Sequence, residues 1–188
     1  LHLDSIRSLT EKHYCAIAAS NLPDQTVIGG SSKDLDRLTE DALVHFPRKK
    51  PTRLKTEGAF HTFYMVTAAL HFRPVLDDAE MHAPTLRVLS NYTGTHHDLD
   101  PATIKTRLFY QLFYPVNWIC NLETAFRDGM TTVVEFGGGL GSGTRPEDKH
   151  PNLEGIVKKA LRDSDYSVHY RAAINSQTLR ETAAALRS

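Results

Sequence analysis

The residues of this chain best suited to moving a proton stand at Gly58-Ala59-Phe60-His61. An imidazole changes charge near neutral pH. A histidine set directly after a short apolar run, where a strand gives way to a helix, can be presented at the mouth of a cleft as a general base. Such a base needs a hydroxyl or thiol to activate and a third group that holds its ring in one tautomer. The Gly-x-Ser-x-Gly elbow that presents a nucleophilic serine occurs nowhere in the 188 residues. The other chemically suggestive groups lead to plainer readings. His96-His97 lie in a polar turn, and the remaining histidines have no i, i+4 partner on a helix, so no metal site is expected. Cys15 and Cys120 are far apart and lack CxxC spacing, which points to reduced thiols and a cytoplasmic location rather than a disulfide framework. Gly137 to Gly143 could cradle a phosphate at a helix N-terminus, but Pro146 and the charges after it delay any helix to about Asn152, so a tight turn after a buried strand is the expectation.

The elements that must carry His61 follow from patterning. Ser5–Lys12 reads as a short amphipathic helix, and Tyr14–Ala19 and Gln25–Ile28 as two strands joined through Ser20-Asn21-Leu22-Pro23-Asp24. Ser31 or Ser32 caps a helix with Leu35, Leu38, Ala42 and Leu43 on one side, and Thr52–Thr56 alternates like a half-exposed strand. Helix, strand, strand, helix, strand over the first 57 residues predicts a small ferredoxin-like α+β unit. After His61, a helix runs from Phe63 through Phe72 and past Pro74 towards Met81, and Arg87–Asn91 forms a short strand. Asp100 as cap and Pro101 at the first helical position open a helix through Gln111 that Pro115 ends. A helix over Trp118–Asp128, a strand over Thr131–Phe136 and a helix over Asn152–Leu161 then give an α/β portion with parallel crossovers, Trp118 and Phe136 being read as core. Beyond Arg162 the sequence is polar, with a strand at Ser167–Tyr170 and a helix at Gln177–Leu186. The expected divisions are 1–57, 58–161 and a C-terminal extension, 162–188.

Composition excludes several classes of function. Lys+Arg 22 balances Asp+Glu 22, which removes the electrostatic reason to expect nucleic acid or an anionic membrane as partner. Hydrophobic residues at 40% and charged ones at 23% suit a folded domain, and no apolar run approaches the roughly 20 residues that span a bilayer.

Four stretches taken together carry a resemblance. They are Ala16-x-Ala18-Ala19-Ser20-Asn21-x-Pro23-x-Gln25-x-Val27-Ile28-x-Gly30, Gly58-Ala59-Phe60-His61, Gln111-Leu112-x-x-Pro115-Val116-x-Trp118 and Glu135-Phe136-Gly137-x-Gly139. In order and spacing, over roughly residues 14 to 161, this resembles the second half of the malonyl-CoA:acyl carrier protein transacylase family. The resemblance implies a ferredoxin-like small subdomain joined to the C-terminal part of an α/β-hydrolase-like core, and a ping-pong transfer of malonyl from coenzyme A to the phosphopantetheine thiol of an acyl carrier protein. His61 takes the place of the family's general base, and Gln111 that of the residue holding it, commonly through its main-chain carbonyl. Phe60 matches the aromatic position that goes with malonyl rather than branched units, a preference worth about 1–3 kcal/mol per methyl. Asn21 and Gln25 belong to a turn that faces substrate or carrier. The coenzyme A thioester is a substrate and no cofactor is implied. Two departures stand out: Thr62-Phe63-Tyr64 replaces Ser-Pro-Leu, and Gly138 replaces a proline. The nucleophilic serine and the carboxylate-binding arginine are expected upstream of Leu1, in the missing N-terminal part of the same enzyme. Arg48-Lys49-Lys50, by charge a solvated loop, could meet an acidic carrier. The contrasting expectation is a non-catalytic carrier-binding or complementing subunit without the nucleophile half.

Overall fold

A computed structural model describes residues 3–162 and 164–187. It divides into two compact units, Leu1–Asn121 and Leu122–Ser188.

In the first unit, helix α1 (Leu3–Lys12) leads into β1 (Ala16–Leu22), which turns at Pro23-Asp24 and pairs antiparallel with β2 (Gln25–Gly29). The hairpin is irregular at Asn21, where the register shifts between the Ser20 and Leu22 pairs. Helix α2 (Ser32–His45) starts where a serine cap was expected: Ser31 Oγ accepts the Asp34 N–H at 3.2 Å. Apolar residues three apart in α1, Ile6 and Leu9, bury against Ala42 of α2, with Ile17, Ile28 and Phe46 closing the cluster. Each such aliphatic side chain contributes about 1.5–3 kcal/mol by leaving water.

The expected helix–strand–strand–helix order is therefore present, but its closing strand is not. Residues 52–56 are irregular and Leu54 is 55% exposed. Alternation specifies a strand only where a neighbouring strand or a core takes up the apolar side, and Leu54 is left more than half exposed.

A single 3₁₀ turn (Phe63–Met65) precedes α3 (Val66–Asp78), which passes through Pro74 and stops three residues short of Met81. Instead of the expected strand at 87–91, the chain makes a tight hairpin in which the His97 N–H donates to Val88 O and the Ser90 N–H to Thr95 O, both at 2.8 Å. Helix α4 (Pro101–Gln111) packs on α3, and Asp100 caps it by accepting from the N–H of Ala102 and Thr103. The division between the units falls inside α5 (Trp118–Arg127).

In the second unit β3 (Thr132–Phe136) pairs in parallel with β4 (His169–Ala173), with α6 (Glu154–Leu161) in the crossover and α7 (Ser176–Ala185) packed on β4. The strand expected at 167–170 thus lies two to three residues later, and the polar stretch past Arg162 supplies half of this sheet. Asn175 caps α7 through the N–H groups of Gln177 and Thr178. Phe136, read as core, is 73% exposed, while its neighbour Glu135 is 7% exposed. Trp118, read as core as well, is half-buried. Among the described residues no helix is long and apolar enough to cross a membrane.

Candidate active site

His61 sits in left-handed backbone, with φ at 61°. That region costs a non-glycine residue roughly 1–2 kcal/mol, so its neighbours must hold it there. Thr62, 1% exposed, ties the turn by donating from Oγ1 to Ala59 O at 2.6 Å. The turn rests on the end of β2: a Cβ added at Gly29 would lie 2.8 Å from Thr62 Cγ2 and 3.3 Å from Ala59 Cβ. This position therefore carries glycine because the two segments approach backbone to side chain.

The second part of the site comes from the end of α4. The last carbonyls of a helix have no partner within it and are available to outside donors. His61 uses two in succession. Its N–H donates to Leu112 O at 3.2 Å, and its ring Nδ1 lies 2.7 Å from Gln111 O. A carbonyl oxygen can only accept, so this contact fixes the Nδ1–H tautomer and leaves the Nε2 lone pair as the proton acceptor. The Gln111 side-chain nitrogen is 3.2 Å from the same Nδ1, a longer approach that a protonated Nδ1 cannot accept. Beyond α4 the chain is fastened to the same hairpin that carries Gly29: Ser20 N–H donates to Val116 O and Val116 N–H to Ala18 O, each at 2.9 Å.

No family model matches the chain. It is 28% identical over 164 residues to a malonyl CoA-acyl carrier protein transacylase of Bacillus subtilis, covering 85% of this chain and 48% of that relative. It superposes on the malonyl-CoA:acyl carrier protein transacylase of Xanthomonas oryzae with a TM-score of 0.81 at 22% identity, over 98% of this chain and 55% of that one. The chain is thus similar, in sequence and in fold, to malonyl-CoA:acyl carrier protein transacylases. It spans about half the length of the relatives it matches. Its fold is shared also by a malonyl-transacylase solved in complex with a type II PKS acyl-carrier protein, with a TM-score of 0.80 at 21% identity over 96% of this chain and 54% of that one.

Within this transacylase-like chain, the residues singled out by sequence fall into two groups. His61 and Gln111 are brought into contact across fifty residues, and Phe60 adjoins them, 49% exposed, with its ring against Gly58. Asn21 and Gln25 stand on the β1–β2 hairpin, half-buried and exposed, and among the described residues neither side chain hydrogen-bonds to His61 or Gln111. Leu112, named in the sequence only as part of a motif, was given no role, although its carbonyl holds the His61 backbone; the signal was its place at the end of a helix that Pro115 must terminate. The glycine-rich segment is a turn folded back on 145–150, where Leu140 and His150 exchange backbone hydrogen bonds at 2.8 and 3.0 Å. Gly139, at φ 65°, and Gly141, at φ 131°, both lie against the returning segment.

Glu135, seen in the sequence only as part of a motif, anchors that turn. Its Oε1 accepts the Asn152 N–H and its Oε2 the Leu153 N–H, each at 2.8 Å, and the Tyr170 hydroxyl donates to Oε2. Burial pushes the carboxyl up, yet the Tyr170 hydroxyl and the two amides together hold it below the usual range. The Tyr170 phenol is raised, by burial and by its bond to this carboxylate. Among the described residues no group of three or more His, Cys, Asp or Glu side chains could hold a metal.

Proposed function

We propose that this chain carries the general-base half of a malonyl transferase that moves malonyl from coenzyme A to the phosphopantetheine thiol of an acyl carrier protein. The observation that carries the reading is the 2.7 Å approach of His61 Nδ1 to Gln111 O, which sets the Nδ1–H tautomer of the neutral ring and makes Nε2 its proton-accepting atom. A serine supplied by the N-terminal part of the same enzyme gives its proton to Nε2 as its oxygen attacks the thioester carbonyl. Collapse of the tetrahedral intermediate breaks the C–S bond, and Nε2 returns the proton to the departing coenzyme A thiolate. The carrier's thiol then loses its proton to Nε2 and attacks the acyl-serine, and Nε2 hands the proton back to the serine oxygen. Phe60 beside the base narrows the space at the α-carbon and favours malonyl, while Asn21 and Gln25 contact substrate or carrier from the hairpin. The thioester is consumed as substrate and no cofactor takes part.

The acyl carrier protein bound to the structurally similar transacylase supports the choice of acceptor. The test is mass spectrometry of the full-length protein after mixing with malonyl-CoA. A malonyl adduct that a holo-carrier discharges is expected; binding of the carrier without any adduct would instead identify a non-catalytic carrier-binding protein. His61→Asn should lower transfer by about 10²–10⁴-fold. Asparagine is chosen because it tolerates left-handed backbone, so the loss reports the imidazole and not the turn. An unchanged rate would remove His61 from the mechanism.

A further inference from the structure

Behind Gln111 lies a cavity of about 180 Å³ between the 88–97 hairpin and α4, lined by Ser90, His97, Arg107, Leu108 and Gln111 among others. Two of its lining residues carry buried polar atoms that hydrogen-bond to no protein group among the described residues, Oε1 of Gln111 and Nδ1 of His97. Buried polar atoms are almost always satisfied, and the cavity far exceeds the ~10–15 Å³ that one water needs.

The hairpin around His97 is held from three sides. Its own N–H donates to Val88 O at 2.8 Å. Arg107, one helical turn before Gln111 on α4, donates to the carbonyl of His96 at 2.9 Å and to the Asp98 carboxylate, fastening the residues on either side. Burial first, and the Arg107 charge second, lower the His97 imidazole, which favours the neutral ring with its one donor and one acceptor nitrogen.

We propose that this cavity is a hydration site whose water joins His97 Nδ1 to the Gln111 side-chain amide, making His97 a positioning residue for the Gln111–His61 pair. With its amide satisfied, the Gln111 side chain keeps the last turn of α4 closed, and its main-chain carbonyl stays on His61 Nδ1. The chemical role assigned to His61 rests on the function proposed above; the linkage from His97 to Gln111 does not.

The test uses the full chain with ¹⁵N-labelled histidine. Long-range ¹H–¹⁵N spectra should show His61 protonated at Nδ1, with that proton protected from solvent. In His97→Leu its exchange should quicken roughly tenfold or more, since an apolar side chain leaves the bridging water without its partner. In His97→Asn, whose side chain offers a polar atom near the position of Nδ1, protection should return to near wild type. Equal exchange in all three proteins, or equal loss in both variants, would overturn the inference. Should His97→Leu fail to fold, wild type alone decides: a long-lived water giving cross-peaks to the Gln111 amide protons sustains the hydration site, and a dry cavity ends it. None of these readouts needs turnover. A full-length protein, nucleophile half included, that forms no adduct with malonyl-CoA and still shows the His97 dependence would sink the transferase reading and leave this one standing.

Discussion

Replacing Glu135 by glutamine removes one charge and one acceptor from a site that is 7% exposed and has three donors aimed at it. Turned one way, the amide oxygen serves Leu153 and Tyr170, and the amide nitrogen then faces the Asn152 N–H, donor against donor. Turned the other way, Asn152 is served, the Tyr170 hydroxyl must turn to accept from the amide nitrogen, and the Leu153 N–H is stranded. An unsatisfied buried donor costs about 1–3 kcal/mol, and the surviving bonds lose the strength that a charged acceptor gives, so the combined loss is about 2–4 kcal/mol. Amide exchange at Asn152 and Leu153 reads this locally: their protection should fall roughly 30- to 1,000-fold, at one factor of ten per 1.4 kcal/mol. The pH dependence has a definite sign. The Glu135 carboxyl is held below its ordinary value in the folded chain. Its contribution is therefore complete above the unfolded value of about 4.3 and is lost as pH falls through the folded one. In Glu135→Gln this acid limb should be missing. Unchanged exchange at pH 7, or an acid limb that survives the substitution, would refute the reasoning.

Other substitutions test the scaffold around His61. Gly29→Ala sets a methyl 2.8 Å from Thr62 Cγ2 and should cost about 1–3 kcal/mol of overpacking, seen in the urea midpoint together with a weakened His61 Nδ1–H signal. Asp100→Ala strips the cap from the helix that ends in Gln111 and should cost about 1 kcal/mol, measured by the same unfolding curve. Asp41 bonds Lys12 and His13, which hold its carboxyl at about 2; its carbon resonance should titrate near that pH, and whatever stability it gives should fade only as pH drops towards it.

Local chemistry in the sequence is decisive where one residue type answers one backbone need. Ser31 and Asp100-Pro101 mark helix starts because a side-chain acceptor beside orphan N–H groups, or a proline at the first helical position, has few other uses. The strand assignments at 52–56 and 87–91 fail because alternation describes a half-buried surface without saying what buries it. The exposure of Phe136 and burial of Glu135 invert the usual order for the same reason, since a carboxylate goes inside when three donors wait for it, and those donors come from residues 17 to 35 positions away. The pairing of His61 with Gln111 was legible only through family resemblance. Neither the left-handed turn at His61 nor the carbonyls at the end of α4 leave a mark in residue types that spacing alone would reveal.

The fastening of both ends of the stretch between the base and its carbonyl has a consequence for sequence change. His61 is bonded to Gln111 and Leu112, its turn rests on β2, and the chain after α4 is bonded to β1. Residues 62–110 are thus an excursion that leaves and returns to one hairpin, with its two feet bonded to each other. Residues added to the irregular segment 79–87, far along that excursion from either foot, should lengthen it without altering the 2.7 Å contact, whereas a single residue inserted between Gln111 and Val116 would pull the carbonyl off the ring. Tolerance to insertion in this chain is therefore set by distance from the two feet and not by closeness in sequence to α3 or α4.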